Sequence, residues 1–295
     1  MLAQLSGVLL PVFALATVGY GWRRLGFPFE REFVTRLIMN VSGPCLVVDS
    51  LARLTLPMEV FLRMAAGAVT MFVVTVAVSW FALRLAGLSI RSFLPALAIG
   101  NTGNLGLPLC LFAFGQEGLG LAVAVYVTNS VGQFTLTPML QSQESPLKTL
   151  ATTPVVYGAL IGTAVLFSDA TLPEWVMTTI GLLGSLMIPL MLLALGNTLG
   201  GLHAKRLPFA TAWGVVRLLL GFGVAYAVSV LFGIEGIAQG VLVLQGAMPA
   251  AIFNYLFAAR YGRHPDEVAG IVLMSTLASA LTLPLLVTFV LYLAG

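Results

Sequence analysis

The segment GNTGNLGLPL, Gly100–Leu109, sets Asn101, Thr102 and Asn104 among Gly100, Gly103, Gly106 and Pro108 inside an otherwise apolar stretch. Amides and a hydroxyl are neutral donors and acceptors, suited to holding a ligand rather than to making or breaking its bonds. Glycine loses backbone entropy on becoming helical, and proline cannot donate to the helical ladder, so a helix should break here. Pro108 fits the opening turn of a second half-helix, where its missing N–H costs nothing. The N–H groups of such an opening turn are unpaired and carry a partial positive charge, which attracts anions. The chemistry expected is reversible binding of an anion.

A second broken segment, GAMPAA, spans Gly246–Ala251 around Pro249, with Asn254 just beyond it. The candidate binding residues from the two breaks are Asn101, Thr102, Gly103, Asn104 and Pro108, and Gly246, Pro249 and Asn254. Two polar stripes accompany them, Thr128, Asn129 and Gln133, and Ser275, Thr276, Ser279 and Thr282. Spacings of three and four put much of each stripe on one helix face. Bonding between helices explains most such residues; Asn129 and Ser279 are taken as site lining.

Asp49 is the acid of most interest, because a carboxylate inside a membrane is costly and by default functional. It is a candidate for carrying a coupling proton, yet Arg53 stands four residues on and an interfacial ion pair is equally consistent. Glu59 and Arg63 repeat that spacing, and there the ion pair is favoured. His203 and His264 sit beside basic residues in expected turns and receive no role. No Walker lysine motif, zinc-ligand spacing or nucleophile elbow occurs, so neither an enzyme, nor a metal site, nor a cofactor is expected beyond a coupling proton or sodium ion.

These residues must be positioned by helices. Of the 295 residues 59% are apolar and 8% charged, and the mean hydropathy is +1.02, too little polarity to coat a water-soluble globule. With lipid as the solvent, backbone groups must be satisfied within helices or a closed barrel, and the alternation of a barrel is absent. Apolar runs predict ten spans, near 2–22, 33–53, 58–86, 92–114, 118–141, 150–168, 174–200, 209–233, 237–261 and 266–294. The first run lacks the basic region and cleavage site of a secretory signal and reads as a retained span. Cys45 and Cys110 fall within spans as small apolar residues.

The net charge of +3 comes from arginines scattered singly among turns, so no nucleic-acid partner is expected. Arg23, Arg24, Arg31 and Arg36 flank the first turn, Arg84 and Arg91 the third, Lys148 the fifth, Lys205, Arg206 and Arg217 the seventh, and Arg260 and Arg263 the ninth. Odd turns are thereby cytoplasmic and both termini extracytoplasmic.

The prolines repeat. Pro11 and Pro154, Pro44 and Pro189, Pro108 and Pro249, and Pro138 and Pro284 are separated by nearly the same distance along the chain. LLPVFALATVG resembles TTPVVYGALIG, and QFTLTPML resembles SALTLPLL. Halves 1–142 and 143–295, each with an odd number of spans, would enter the membrane from opposite sides, an arrangement typical of secondary transporters. An intramembrane enzyme would need a convergent partner for Asp49, and a channel a lined pore; neither is visible.

PVFALATVGYGWRRLG, GNTGNLGLPL, TPVVYGALIG, AMPAAIFNYLFAARYG and LMSTLASALTLPLL together resemble the auxin efflux carrier family, within the broader group that includes bile-acid sodium symporters. The resemblance implies an all-helical fold of ten spans in two inverted five-helix repeats. Spans one, two, six and seven would form a scaffold, often dimeric. Spans three to five and eight to ten would form a transport domain, in which broken helices four and nine cross beside Pro108 and Pro249. Elevator-like movement would expose the site to either side. Bacterial members are described as malate or malonate permeases, which implies a small organic carboxylate and an inner-membrane location among lipid. The short central loop Ser142–Lys148 favours that type. Export of auxin-like aromatic carboxylates and sodium-coupled bile-acid-type symport are the alternatives.

Overall fold

The computed structural model describes residues 2–53, 58–141, 151, 153–168, 172–201 and 206–294. The helices are α1 (Leu2–Arg24), α2 (Arg31–Leu37), α3 (Gly43–Ala52), α4 (Met58–Leu85), α5 (Ile90–Ala98), α6 (Leu107–Gln141), α7 (Pro154–Phe167), α8 (Glu174–Ser185), α9 (Met187–Leu199), α10 (Leu207–Leu231), α11 (Gly236–Gly246), α12 (Ile252–Arg260) and α13 (Pro265–Ala294). Among the described residues five helical stretches, 59–85, 102–141, 174–199, 207–231 and 265–294, are each long and apolar enough to cross a membrane. The Ser142–Lys148 loop, the junction between the expected halves, His203 and Lys205 lie outside the described residues.

Departures from a plain run of spans follow from proline and glycine. Pro44 has no N–H to give to the preceding turn, and Ile38–Ser42 relaxes into a π-helical turn in which Gly43 N–H reaches back to Ile38 O. Ahead of Pro189 the corresponding helix breaks at Leu186, between α8 and α9. Within α6 the chain turns at Gly115, whose φ of 65° and ψ of −155° are open to glycine. The fourth and ninth expected spans are interrupted between α5 and α6 and between α11 and α12, as their composition predicts.

Two packing groups can be traced. In one, α1 lies against α9, and α3 lies against α7 and α8. In the other, α10 and α11 pack on α13, α4 on α5 and α6, and α11 on α6. Small residues set the spacing of the first group, as expected where lipid leaves close van der Waals contact as the main attraction. A Cβ added at Gly196 would stand 1.8 Å from Ala16 O, and one at Gly19 2.1 Å from Leu193 O. Both contacts are with backbone, which cannot swing aside. Gly196→Ala is therefore expected to separate α1 from α9 at a cost of about 1–3 kcal/mol, read as a lower midpoint of thermal unfolding in detergent; an unchanged midpoint would refute the contact.

One reading of the charges is corrected. Arg217 does not flank a turn: it lies inside α10, 3% exposed, because that helix runs from Leu207 to Leu231 through the arginine. The span expected near 209–233 already contained this arginine, and the helix places it ten residues beyond Leu207, with apolar neighbours on both sides. Cys45 and Cys110 are free thiols inside helices, as expected.

Candidate functional site

The two interrupted helices meet at their breaks. Gly100 and Ala250 form an isolated antiparallel β-bridge, made by Asn101 N–H donating to Pro249 O at 2.7 Å and Ala251 N–H donating to Ile99 O at 3.1 Å. Each break thus satisfies backbone groups that the other leaves without a helical partner, which is what unwound chain needs at membrane depth. Side chains complete the accounting. Asn254 Nδ2 donates to Ile99 O at 3.0 Å, and Ala250 N–H donates to Ser275 Oγ at 3.1 Å. Arg217 donates from Nη1 to Leu97 O at 3.1 Å and from Nη2 to Gly246 O at 3.3 Å.

The crossing falls at Gly100, not at Pro108. Pro249 stands at it, whereas Pro108 occupies the first turn of α6, the place its missing N–H suits. Between Asn101 and α6 the residues Thr102–Gly106 form a π-helical turn, capped by Asn101 O, which accepts from Leu105 N–H at 3.3 Å and Gly106 N–H at 3.1 Å.

On one side of the crossing a crevice opens. Asn101, Thr102, Gly103 and Asn104 line it from the first break, and Ala251 and Phe253 from the second. Tyr126, Asn129, Ser130, Gln133 and Phe134 line it from the second part of α6; Ile38, Met39 and Met191 close it from the α1–α9 packing group. A Cβ at Gly103 would meet the flexible end of Met191 at 2.8 Å and the Tyr126 ring at 3.0 Å, so these neighbours would have to shift to admit it. Asn101, 4% exposed, has its Nδ2 buried without an acceptor. Asn129 Nδ2 donates to Val125 O at 3.2 Å and Gln133 Nε2 to Thr137 Oγ1 at 3.1 Å, so both amides are held in fixed orientations. The opening turn of α12, with its partial positive charge, begins at the crevice wall. Among the described residues no carboxylate lines it. The arrangement offers neutral donors and helix-end dipoles to an anion, with the aromatic rings of Tyr126, Phe134 and Phe253 beside them.

Of the sequence-predicted residues, Asn101, Thr102, Gly103, Asn104 and Asn129 are brought together on this crevice. Gly246, Pro249 and Asn254 lie at the crossing behind it. Ser279 faces another, apolar cavity, lined by residues such as Val12, Tyr20, Leu195 and Leu283 of α1, α9 and α13. Asp49 stands in α3 with its carboxylate 2.7 Å from Arg53 Nε, and Glu59 pairs with Arg63 at 2.5 Å. Tyr126, Ser130 and Phe134 were not foreseen, although Tyr126, Asn129, Ser130 and Gln133 follow the i, i+3, i+4, i+7 pattern of a single helix face. Arg217 was missed as well. An arginine with long apolar runs on either side is itself the signal of an intramembrane charge.

A model of the family described as membrane transport protein matches residues 137–287. The chain is 30% identical over 293 residues to an "Uncharacterized transporter" of Methanothermobacter thermautotrophicus, covering 94% of this chain and 95% of that protein. It is 26% identical over 316 residues to a "Putative malonate transporter" of Rhizobium meliloti, covering 99% and 96%. A shorter stretch is 33% identical over 89 residues to a "Probable auxin efflux carrier component 5a" of Oryza sativa, covering 29% and 24%.

Proposed function

The chain belongs to the membrane transport protein family, and from that premise we propose that it is a secondary active carrier of small organic carboxylates. The observation that carries this reading is the crevice at the paired breaks, where Asn101 Nδ2 is a buried donor without an acceptor and, among the described residues, no acid opposes an anion. A carboxylate would accept from Asn101 and its neighbours at the positive end of α12, with no full positive charge in contact with it. The relative named for malonate supports a dicarboxylate of that size.

The carrier works by elevator-type alternating access, with ten spans in two inverted repeats. Three features favour this. The packing of α1 on α9 has its counterpart in α7 on α3, as repeats 1–142 and 143–295 exchanged about an in-plane axis would require. The crevice lies between the two packing groups, so that sliding one past the other would carry it across. Arg263 donates to Gln141 O at 3.2 Å and Gln141 Nε2 to Arg91 O at 3.3 Å, which gathers the third, fifth and ninth turns at one face. That face is assigned to the cytoplasm of a bacterial inner membrane, with both termini opposite. The α1–α9 group serves as scaffold and dimer surface.

Tyr126, Phe134 and Phe253 beside the amides favour an aromatic carboxylate as the second reading. The test is counterflow in proteoliposomes with labelled malonate, malate, acetate and indole-3-acetate under imposed proton, sodium or voltage gradients. Saturable counterflow of a dicarboxylate is expected, preference for indole-3-acetate would select the second reading, and no flux of any of them would sink both.

Asp49 is better placed for an ion pair than for proton coupling, since its carboxylate is engaged by Arg53 and it does not line the crevice. Asp49→Asn is expected to leave the pH profile of counterflow in place and to cost about 1 kcal/mol of stability or less. A flattened profile would restore the coupling role.

A further inference from the structure

Arg217 is the most heavily buried charge near the crossing, and among the described residues no carboxylate pairs with it. A buried guanidinium without a counter-ion is costly, so its partners must compensate. Those partners are Leu97 O, in the last turn of α5, and Gly246 O, the last residue of α11. Both are carbonyls at helix C-termini, where orphan acceptors and the helix dipole concentrate negative charge. One guanidinium therefore caps the first halves of both broken helices. The chain makes room for it: a Cβ at Gly100 would stand 2.4 Å from Nη2, and one at Gly221 3.0 Å from Nη1. Gly100 also lines the crevice, so the charge sits one layer of backbone behind the site, without entering it.

Half-helix C-termini and unwound carbonyls are where carriers built on broken helices hold sodium. Here two of those carbonyls accept from a covalently attached cation instead. We propose that Arg217 is the fixed counter-cation of the crossing, a positioning residue whose permanent charge takes the place of a coupling sodium ion and draws the anion into the crevice from behind Gly100. The anion part rests on the carboxylate reading above; the sodium part does not.

The experiment compares wild type, Arg217→Lys and Arg217→Gln. Lysine keeps the charge but cannot span both carbonyls as the guanidinium does; glutamine keeps polar reach without charge. Both variants should lose thermal stability, because both lose the bridge. Malonate binding, measured by scintillation proximity on purified protein, should stay within about threefold of wild type in Arg217→Lys and weaken about tenfold or more in Arg217→Gln. Equal weakening in the two would reduce Arg217 to a structural brace and overturn the proposal. Wild-type protein should show the same unfolding midpoint in sodium chloride as in choline chloride, and a rise specific to sodium would overturn the proposal without any variant having to fold. If wild type binds no carboxylate, the functional reading fails, while the sodium comparison still stands as its own test.

Discussion

Gly100→Ala is expected to lower the unfolding midpoint sharply and to reduce transport by about two orders of magnitude or more. The added methyl carbon would lie 2.4 Å from Arg217 Nη2 and 3.4 Å from Met248 O. A free arginine would swing away at little cost, but this one is buried and donates to two carbonyls. Displacing it weakens two charge-assisted bonds worth about 1.5–3 kcal/mol each and leaves the charge poorly compensated. The alternative relief is to push Gly100 from Ala250, which breaks the bridge that satisfies both unwound segments. Gly100 is not among the positive-φ glycines, so the requirement is for space, not for a special backbone conformation. Thermal unfolding in detergent and malonate counterflow measure both effects, and a variant matching wild type in each would show that the crossing tolerates separation.

Asn101→Asp is expected to abolish carboxylate binding and, because an unpaired carboxylate is costly to bury, to lower the unfolding midpoint as well. The two side chains are almost the same size, and the backbone N–H that bonds Pro249 O is untouched. What changes is the crevice wall, where a buried donor becomes an acceptor with a full negative charge. Two like charges about 5 Å apart at an effective dielectric of about 20 repel by roughly 3 kcal/mol, or about two orders of magnitude in affinity. Asn101→Ala removes one donor only and should cost about tenfold. The ordering wild type, alanine, aspartate in malonate affinity, at a pH where the introduced carboxylate is ionised and with malonate raising the midpoint of wild type but not of the aspartate variant, is the signature of an anion site. Aspartate binding as well as asparagine would place the substrate elsewhere.

The breaks themselves were legible because they depend on local chemistry. Gly100, Gly103, Gly106 and Pro108, and Gly246 and Pro249, oppose a continuous helix wherever they are placed, and both interruptions occur where they stand. The point of crossing was not legible. Pro108 announces the start of a half-helix, but which residue of the unwound stretch meets its partner depends on chain far away in sequence, and it is Gly100. Ser279 illustrates the same limit: its spacing with Ser275 and Thr276 is helical, yet its face turns to the α1–α9 side.

By itself, then, the sequence determined the solvent, the helical class, the two broken segments and the polar residues available there, because composition, hydrogen-bonding need and backbone propensity act over a few residues. Only the tertiary structure decided which of those polar groups share a crevice and which are consumed in holding the crossing together. Arg217 shows why. In one dimension its apolar flanks mark it as an intramembrane charge but name no partner for it. In three dimensions it lies beside Gly100 and Gly221, between the C-terminal ends of α5 and α11, and the negative ends that compensate its burial exist only once both broken helices have been brought together.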